Sequence, residues 1–268
     1  MKRQERRGQV KQHIKQHPAL FAVYLVLRLI VIGLLALNLV QGDYESAFIC
    51  ALVLLLFLVP AFIEKKLRID IPSVMEVMIL LFIFAAEILG EMRSYYQQYP
   101  YWDTMLHTVN GFLCAAFGFS LIDILSRNKQ EKFRLSPLYM ALVAFCFSMT
   151  VGVVWEFFEY GMDCLFHTDM QKDTVVHLLC STKLDPTATN QVVVLENIHT
   201  ATVNGQKLGV GGYLDIGLHD TMADLLVNLI GAVVFSSIGY VYVRRRGEGR
   251  TGFFARHFLP KLTEEESN

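Results

Sequence analysis

The chain has few charged residues and none of the short motifs that identify a common soluble enzyme. Only 18% of its 268 residues are Asp, Glu, Lys or Arg, and 53% are hydrophobic. The mean hydropathy is +0.39. No P-loop, dinucleotide-binding glycine motif, Gly-x-Ser-x-Gly turn or His-Glu-x-x-His pair occurs. These absences argue against nucleotide-dependent enzymes, α/β hydrolases and zinc proteases, and the composition is typical of a membrane protein.

Cysteine is also scarce, and its spacing excludes two further classes. The five cysteines form no Cys-x-x-Cys pair, so neither a zinc finger nor a redox motif is expected. Cys50, Cys114 and Cys146 fall in apolar runs, where cysteine behaves as a small hydrophobic residue. For Cys164 and Cys180 a disulfide and two free thiols are both compatible with the sequence. No cleavable signal peptide is expected, because the first apolar run is too long and lacks a small-residue cleavage site.

Long apolar stretches dominate what is present. A transmembrane helix needs about 20 mostly apolar residues. Six segments satisfy this, at roughly residues 19–41, 46–63, 71–91, 104–125, 137–166 and 220–243. The sequence therefore predicts an all-α polytopic membrane protein with six transmembrane helices and the lipid bilayer as its surroundings.

Basic residues predict the orientation of these helices. Of the 24 Lys and Arg residues, 19 fall before span 1, between spans 2 and 3, between spans 4 and 5, or after span 6. By the positive-inside rule these parts face the cytoplasm. We expect a multi-pass protein of a bacterial cytoplasmic membrane with both termini cytoplasmic. The predicted regions are a basic N-terminus (1–18), spans 1–5 (19–167), an external loop (168–219), span 6 (220–243) and a basic tail (244–268). The basic flanks suit anionic lipid, and no nucleic-acid partner is expected.

The long loop predicts a small external subdomain, a short helix plus a β-hairpin. Residues 171–184, "QKDTVVHLLCSTKL", predict a short amphipathic helix. Residues 191–208, "QVVVLENIHTATVNGQKL", predict strands, and Asn204-Gly205 is a favoured type I′ hairpin turn.

Two intramembrane residues lie near the cytoplasmic ends of their helices. Arg28 in span 1 and Glu76 in span 3 are expected at similar depth. Ionisable groups in a bilayer are costly unless they are paired. We therefore predict a buried structural ion pair between Arg28 and Glu76.

A larger polar group lies at the external ends of spans 3 to 6. Its members are spaced by three or four residues, so that each helix presents them on one face. We predict that they form one outward-facing pocket. The residues are Glu87, Glu91, Asp103, His107, Asn110, Glu156, Glu159, Asp163, Asp215, His219, Asp220, Asp224 and Asn228.

Two of the helix starts resemble each other. "DTMLHTVNG" opens span 4 and "DTMADLLVNLIG" opens span 6, each with Asp-Thr-Met followed later by Asn and Gly. A degenerate internal repeat and a chance match both explain this.

A divalent metal is the leading hypothesis for the pocket. Carboxylate-rich helical bundles with Glu and His at these spacings hold Zn, Mn or Fe, and oxygen-rich sets hold Ca. Bound cations also keep neighbouring carboxylates ionised. Asp215 and His219 would close the site from above. The predicted metal ligands are Glu87, Asp103, His107, Glu156, Glu159, Asp220 and Asp224.

A purely structural explanation competes with this hypothesis. Asp103 and Asp220 also suit helix N-caps. Glu91 and Asp163 also suit exposed positions at the membrane interface, and the remaining groups would then hydrogen-bond between helices.

Three functions follow from these alternatives: a metal-dependent enzyme acting on a lipid-linked or external small molecule, an ion- or proton-linked transporter, or a structural membrane protein. The pocket residues lie on one membrane side, which suits access from that side better than a path across the bilayer.

The order of the acidic motifs resembles a known family. "EILGE", "WDTMLHTVNG", "WEFFEYGMD" and "GGYLDIGLHDTMADLLVN" are similar, over about residues 70–240, to the YjdF-like family of bacterial inner-membrane proteins. The long loop is similar to that of relatives from Gram-positive, clostridia-like bacteria. The resemblance implies a polytopic membrane protein of uncharacterised function, and supplies no reaction. The family's signature positions correspond to Glu87, Asp103, His107, Gly111, Trp155, Glu156, Glu159, Asp215, Asp220 and Asp224.

Overall fold

The computed structural model describes residues 18–67, 69–127, 135–245, 258 and 261–262. Six of its helices are long and apolar enough to cross a membrane, which confirms the predicted fold class. Each observed span begins and ends within about three residues of its predicted bounds. The spans are Leu20–Gln41, Tyr44–Lys66, Ser73–Met92, Trp102–Leu125, Pro137–Phe166 and Leu218–Arg244.

The membrane spans are continuous α-helices except at two places. The second span breaks at Phe57 and Leu58, and the third changes from α to π geometry at Phe84–Met92, the π segment. The helices are α1 (Pro18–Gln41), α2 (Tyr44–Leu56), α3 (Val59–Leu67), α4 (Ser73–Ile83), α5 (Tyr95–Gln98), α6 (Trp102–Arg127), α7 (Pro137–Phe166) and α8 (Leu218–Arg244).

Local chemistry sets the tight turn between α1 and α2. Gly42 takes a left-handed conformation with φ of 78°, which L side chains rarely adopt. The next residue, Asp43, caps α2 by accepting a 3.1 Å hydrogen bond from the backbone N–H of Ser46. This capping lowers the pKa of Asp43.

The chain divides into two compact units, residues 1–152 with 227–268 (the helical unit) and residues 153–226 (the loop unit). The helical unit has two buried apolar clusters. One centres on Met75, Phe119 and Phe235, and the other on Val31 and Leu80. Large apolar side chains remain exposed around both, as expected for helices whose outer faces contact lipid.

The loop unit contains three two-stranded antiparallel sheets. Asn204 and Gly205 both have positive φ, 50° and 79°, so the predicted type I′ hairpin is confirmed. Cys164 and Cys180 are exposed and unbridged. The strands are β2 (Val175–Val176), β3 (Leu179–Ser181), β4 (Val193–Leu195), β5 (Thr202–Val203), β6 (Gln206–Lys207) and β7 (Tyr213–Leu214), paired β2–β7, β3–β4 and β5–β6.

The predicted short helix over residues 171–184 is wrong. This stretch forms β2, β3 and a single 3-10 turn at Thr182–Leu184. β2 and β3 each pair with a segment later in the chain, and such long-range pairing overrides the local helical pattern.

A short sheet also joins two distant parts of the helical unit. β1 (Ile69–Asp70), before α4, pairs antiparallel with β8 (Lys261–Leu262). The predicted basic N-terminus, apart from Pro18, and most of the predicted tail lie outside the described residues. Arg68, Lys129, Lys132 and Arg134 also lie outside them.

Candidate functional site

Three long helices of the helical unit meet at a polar contact made by small residues. Ser148 of α7 donates a 2.7 Å hydrogen bond from its hydroxyl to the carbonyl oxygen of Gly111 in α6. Asn228 of α8 is completely buried, and its amide nitrogen lies 3.5 Å from the carbonyl oxygen of Ser148. The amide oxygen of Asn228 has no hydrogen-bond partner among the described residues. The pocket residue Asn228 therefore lies at a helix crossing.

Glycine makes this crossing possible. A Cβ on Gly111 would overlap the Asn228 carbonyl oxygen, and a Cβ on Gly231 would overlap the Thr108 carbonyl oxygen. A Cβ on Gly152 would come within 2.6 Å of the Asn228 amide nitrogen. The backbones of α6 and α8 are thus in direct contact, as small residues permit between membrane helices.

His107 and Asp103 lie on α6, one and two turns before Gly111. His107 is buried, and its Nε2 atom lies 3.5 Å from Oδ1 of the partly exposed Asp103. Their predicted shared face is therefore present. Asn110 accepts a 3.4 Å hydrogen bond from Cys114 on its own helix.

Glu87 and Glu91 lie on the π segment, a feature that sequence patterns did not predict. Within the described residues, no hydrogen bond or ion pair joins either glutamate to another predicted site residue. The indole N–H of Trp102 donates a 3.3 Å bond to the carbonyl of Ala85, which ties α6 to this segment. π turns are frequent at functional sites. No residue type in "FAAEILGEM" would have signalled one.

Three acidic residues of the loop unit are buried on membrane helices. Glu156 and Glu159 lie on α7, and Asp224 lies on α8, all less than a tenth exposed. Glu159 accepts a 2.8 Å hydrogen bond from the indole N–H of Trp155, one turn earlier on the same helix. All three positions belong to the predicted metal ligands.

Three other predicted site residues of the loop unit accept backbone N–H groups. Asp163 accepts from Met170 and Gln171 at 2.7 and 2.9 Å. Asp220 accepts from Lys172 at 2.7 Å. These two carboxylates hold the start of the loop that joins α7 to α8 against the ends of those two helices, and this gives them a structural role.

Asp215 is the third of these anchors. It accepts from the backbone N–H of Thr174 at 2.8 Å and of His219 at 2.8 Å, and the His219 ring lies 2.9 Å from Oδ2. Partial burial alone would raise the pKa of Asp215, but these N–H donors together bring it below its ordinary value. Asp215 and His219 form a pair at the loop, with His219 mostly exposed.

Asp173 lies in the same segment and shows the opposite effect. Partial burial, and then the negative charges of Asp169, Asp215 and Asp163, raise its pKa. The loop therefore contains carboxylates that their surroundings stabilise as anions, such as Asp215, and one, Asp173, whose ionised form they disfavour.

The predicted Arg28–Glu76 ion pair is not found among the described residues. Arg28 donates a 2.6 Å hydrogen bond to the hydroxyl of Tyr24, and its guanidinium lies 4.1 Å from the centre of that ring. Tyr24 is one turn earlier on the same helix face, where side chains of α-helices reach most easily.

The family described as "Predicted membrane protein (DUF2238)" matches residues 22–245. The chain belongs to this family. The expected membership of an uncharacterised membrane-protein family is thereby confirmed. An uncharacterized protein of Thermotoga maritima is 24% identical over 197 residues, 74% of each chain. No solved structure matches the chain.

Proposed function

We propose that this membrane protein binds a divalent metal ion through His107 and the buried carboxylates Glu156, Glu159 and Asp224, with Asp103 beside the imidazole. The metal would serve a reaction on a lipid-linked or external small molecule at the outer face of a bacterial cytoplasmic membrane.

The register of three helices carries this proposal. α6, α7 and α8 meet at Gly111, Gly152 and Asn228. Successive membrane spans alternate in direction. A step of one turn toward the start of α6 or α8, or toward the end of α7, therefore leads toward the same side of the membrane. That single turn, about 5.4 Å, leads to a buried potential ligand on every helix: His107, Glu156 and Asp224.

Each unit supplies a pair of potential ligands whose ligand atoms lie within 4.8 Å of each other. The pair in the helical unit is Asp103 and His107, and the pair in the loop unit is Glu156 and Glu159. Glu87, Glu91 and Asp220, which the sequence also suggested, belong to neither pair.

The chemistry of these ligands suits a limited group of ions. An imidazole with several carboxylates favours Zn²⁺, Mn²⁺ or Fe²⁺ over soft Cu⁺. Buried carboxylates at one depth repel each other, and a cation relieves that repulsion. Asp103 is placed to orient the imidazole of His107. When bound, such an ion would lower the pKa of a coordinated water and supply a hydroxide. The pair formed by the exposed His219 and the mostly buried Asp215 would suit proton transfer.

Metal analysis of detergent-purified protein tests the proposal. We expect about one equivalent of transition metal after reconstitution, and less than a tenth of an equivalent in His107→Ala and Glu156→Gln. His219→Ala is the matched control, because His219 is exposed and pairs with Asp215 rather than with a proposed ligand, and it should retain the metal. Less than a tenth of an equivalent in the unmodified protein would overturn the proposal and favour a hydrogen-bonded structural role. Thermal unfolding of each variant separates loss of metal from loss of fold.

The orientation has its own test, which uses the native thiols. Cys164 and Cys180 are exposed in the loop unit. A membrane-impermeant maleimide should label them in intact cells if the loop is external. Labelling only after the membrane is permeabilised would contradict the proposed orientation.

A further inference from the structure

Arg28 is a charged residue inside a membrane span. Among the described residues, no carboxylate lies within ion-pair distance of it. We propose that it binds a phosphate oxygen of an anionic phospholipid at the end of α1 opposite the external loop. This site is separate from the proposed metal site.

The donors of Arg28 are only partly satisfied. A guanidinium carries five N–H donors in a planar fork. One Nη atom donates to Tyr24. Nε is buried and has no hydrogen-bond partner among the described residues. A phosphate group accepts two parallel N–H bonds from such a fork. The Nη atoms, which unlike Nε are not enclosed without a partner, are the donors that a phosphate can reach.

The depth of Arg28 suits a lipid headgroup. The first span begins at Leu20, two turns before Arg28, about 12 Å along the helix axis. The side chain reaches back toward Tyr24 by one turn, about 5 Å. Its guanidinium is thus only several ångströms inside the apolar layer, within the range over which arginine reaches the interface and draws headgroups inward.

The surrounding contacts hold the guanidinium in place. The Tyr24 hydroxyl donates a 2.6 Å bond to the carbonyl of Phe57, at the break between α2 and α3. The Tyr24 ring also lies beneath the guanidinium. After this break, α3 ends with the exposed Lys65 and Lys66 at the same membrane side. Basic residues at a membrane surface attract anionic headgroups.

Lipid binding to the full-length protein in neutral detergent tests this inference, by native mass spectrometry and by thermal stabilisation. Phosphatidylglycerol is the probe, with phosphatidylcholine and inorganic phosphate as separate arms. We expect phosphatidylglycerol to bind and raise the Tm, and Arg28→Gln to weaken its binding about tenfold, since a charge-assisted hydrogen bond is lost. The affinity of Arg28→Lys for phosphatidylglycerol should lie between those of the unmodified protein and Arg28→Gln, because lysine keeps the charge and lacks the planar fork of donors.

Arg244→Gln is the matched control. Arg244 also faces a tyrosine one turn earlier, Tyr240, at 3.5 Å, but both the bond and the arginine are exposed. The Arg244→Gln change should alter phosphatidylglycerol binding less than twofold. Equal losses in Arg28→Gln and Arg244→Gln would overturn the inference, because general surface charge would then explain binding. Equal stabilisation by inorganic phosphate would overturn a lipid site in favour of a free anion.

Glu76→Gln separates the inference from the ion pair that the sequence suggested. If Arg28 serves the lipid, Glu76→Gln leaves the response to phosphatidylglycerol unchanged. If Glu76→Gln abolishes that response, or if Arg28→Gln unfolds the protein and the added Glu76→Gln change restores it, Arg28 is a structural partner of Glu76 and the inference fails.

Discussion

Two sets of carboxylates in the loop unit lie within a few helical turns of each other and have different surroundings. Glu156, Glu159 and Asp224 are buried on helices. Asp163, Asp215 and Asp220 accept backbone N–H groups of the segment that follows α7. The same residue type at the same helical spacing thus yields both potential metal ligands and loop anchors. Spacing alone does not predict which of the two roles a carboxylate has. The position of the loop decides it, because the loop brings backbone N–H groups to one set only.

A second contrast exists between the helix crossing and the loop. At the crossing, α6 and α8 are held by direct backbone contact at glycines, with few polar bonds. In the loop, side-chain carboxylates replace the regular backbone pairing that short strands leave incomplete. The helix crossing should tolerate no added side-chain volume, and the stability of the loop should depend on charge and pH.

The largest expected effect is at the crossing. Gly231→Ala would place a methyl group against the Thr108 carbonyl and the Phe112 backbone nitrogen. Because backbone atoms cannot move aside, we expect a loss of more than about 3 kcal/mol in the free energy of unfolding. Denaturation in mixed detergent micelles measures it. Gly33→Ala is the control, since a Cβ added there would meet no atom within 4 Å apart from its chain neighbours and the nearby backbone of its own helix. Equal stability of the two variants would show that the crossing is not tightly packed.

A smaller effect is expected at the main loop anchor. Asp215→Asn should weaken the loop locally by about 1–3 kcal/mol, because one acceptor oxygen for backbone N–H groups is lost. The lowered pKa of Asp215 means that its contribution is present above about pH 4 and is lost as the pH falls through that lowered pKa.

Hydrogen exchange of residues 170–176, corrected for intrinsic rates, measures this change between pH 3 and 7. Glu196→Gln is a suitable control because Glu196 is exposed and in the same loop. Identical exchange in the Asp215→Asn and unmodified proteins at pH 7 would show that Asp215 is no anchor.

The smallest expected effect is at Asp173, where a substitution should stabilise the loop rather than weaken it. The pKa of Asp173 is raised, so its ionised form disfavours the folded loop. Stability from this group is complete below about pH 4 and is lost as the pH rises through the raised pKa. Asp173→Asn should therefore slow loop exchange slightly at pH 7, and the difference should vanish near pH 3. Faster exchange in the variant at pH 7 would contradict the proposed repulsion.

Much of the fold followed from local patterns. All six spans were predicted because apolar runs of this length have few alternatives in a bilayer. The turn at Asn204–Gly205 was predicted because a type I′ turn needs two residues with positive φ. The helix predicted at residues 171–184 was wrong because its strands pair with segments further along the chain. The π segment had no local signal.

The candidate site was only partly predictable. The sequence placed His107 and Asp103 on one helix face, and it placed acidic residues near the ends of four spans. It could not distinguish Asp215, which anchors the loop, from Asp224, which is buried. Nor could it show that Arg28 contacts Tyr24.

By itself the sequence determined the membrane class and the number of spans, because hydropathy and helical periodicity act along the chain. The tertiary structure alone decided which carboxylates accept loop N–H groups, which glycines bring helices into contact and that Arg28 has no ion partner among the described residues. Those properties depend on contacts between residues far apart in sequence, and no local pattern records such contacts.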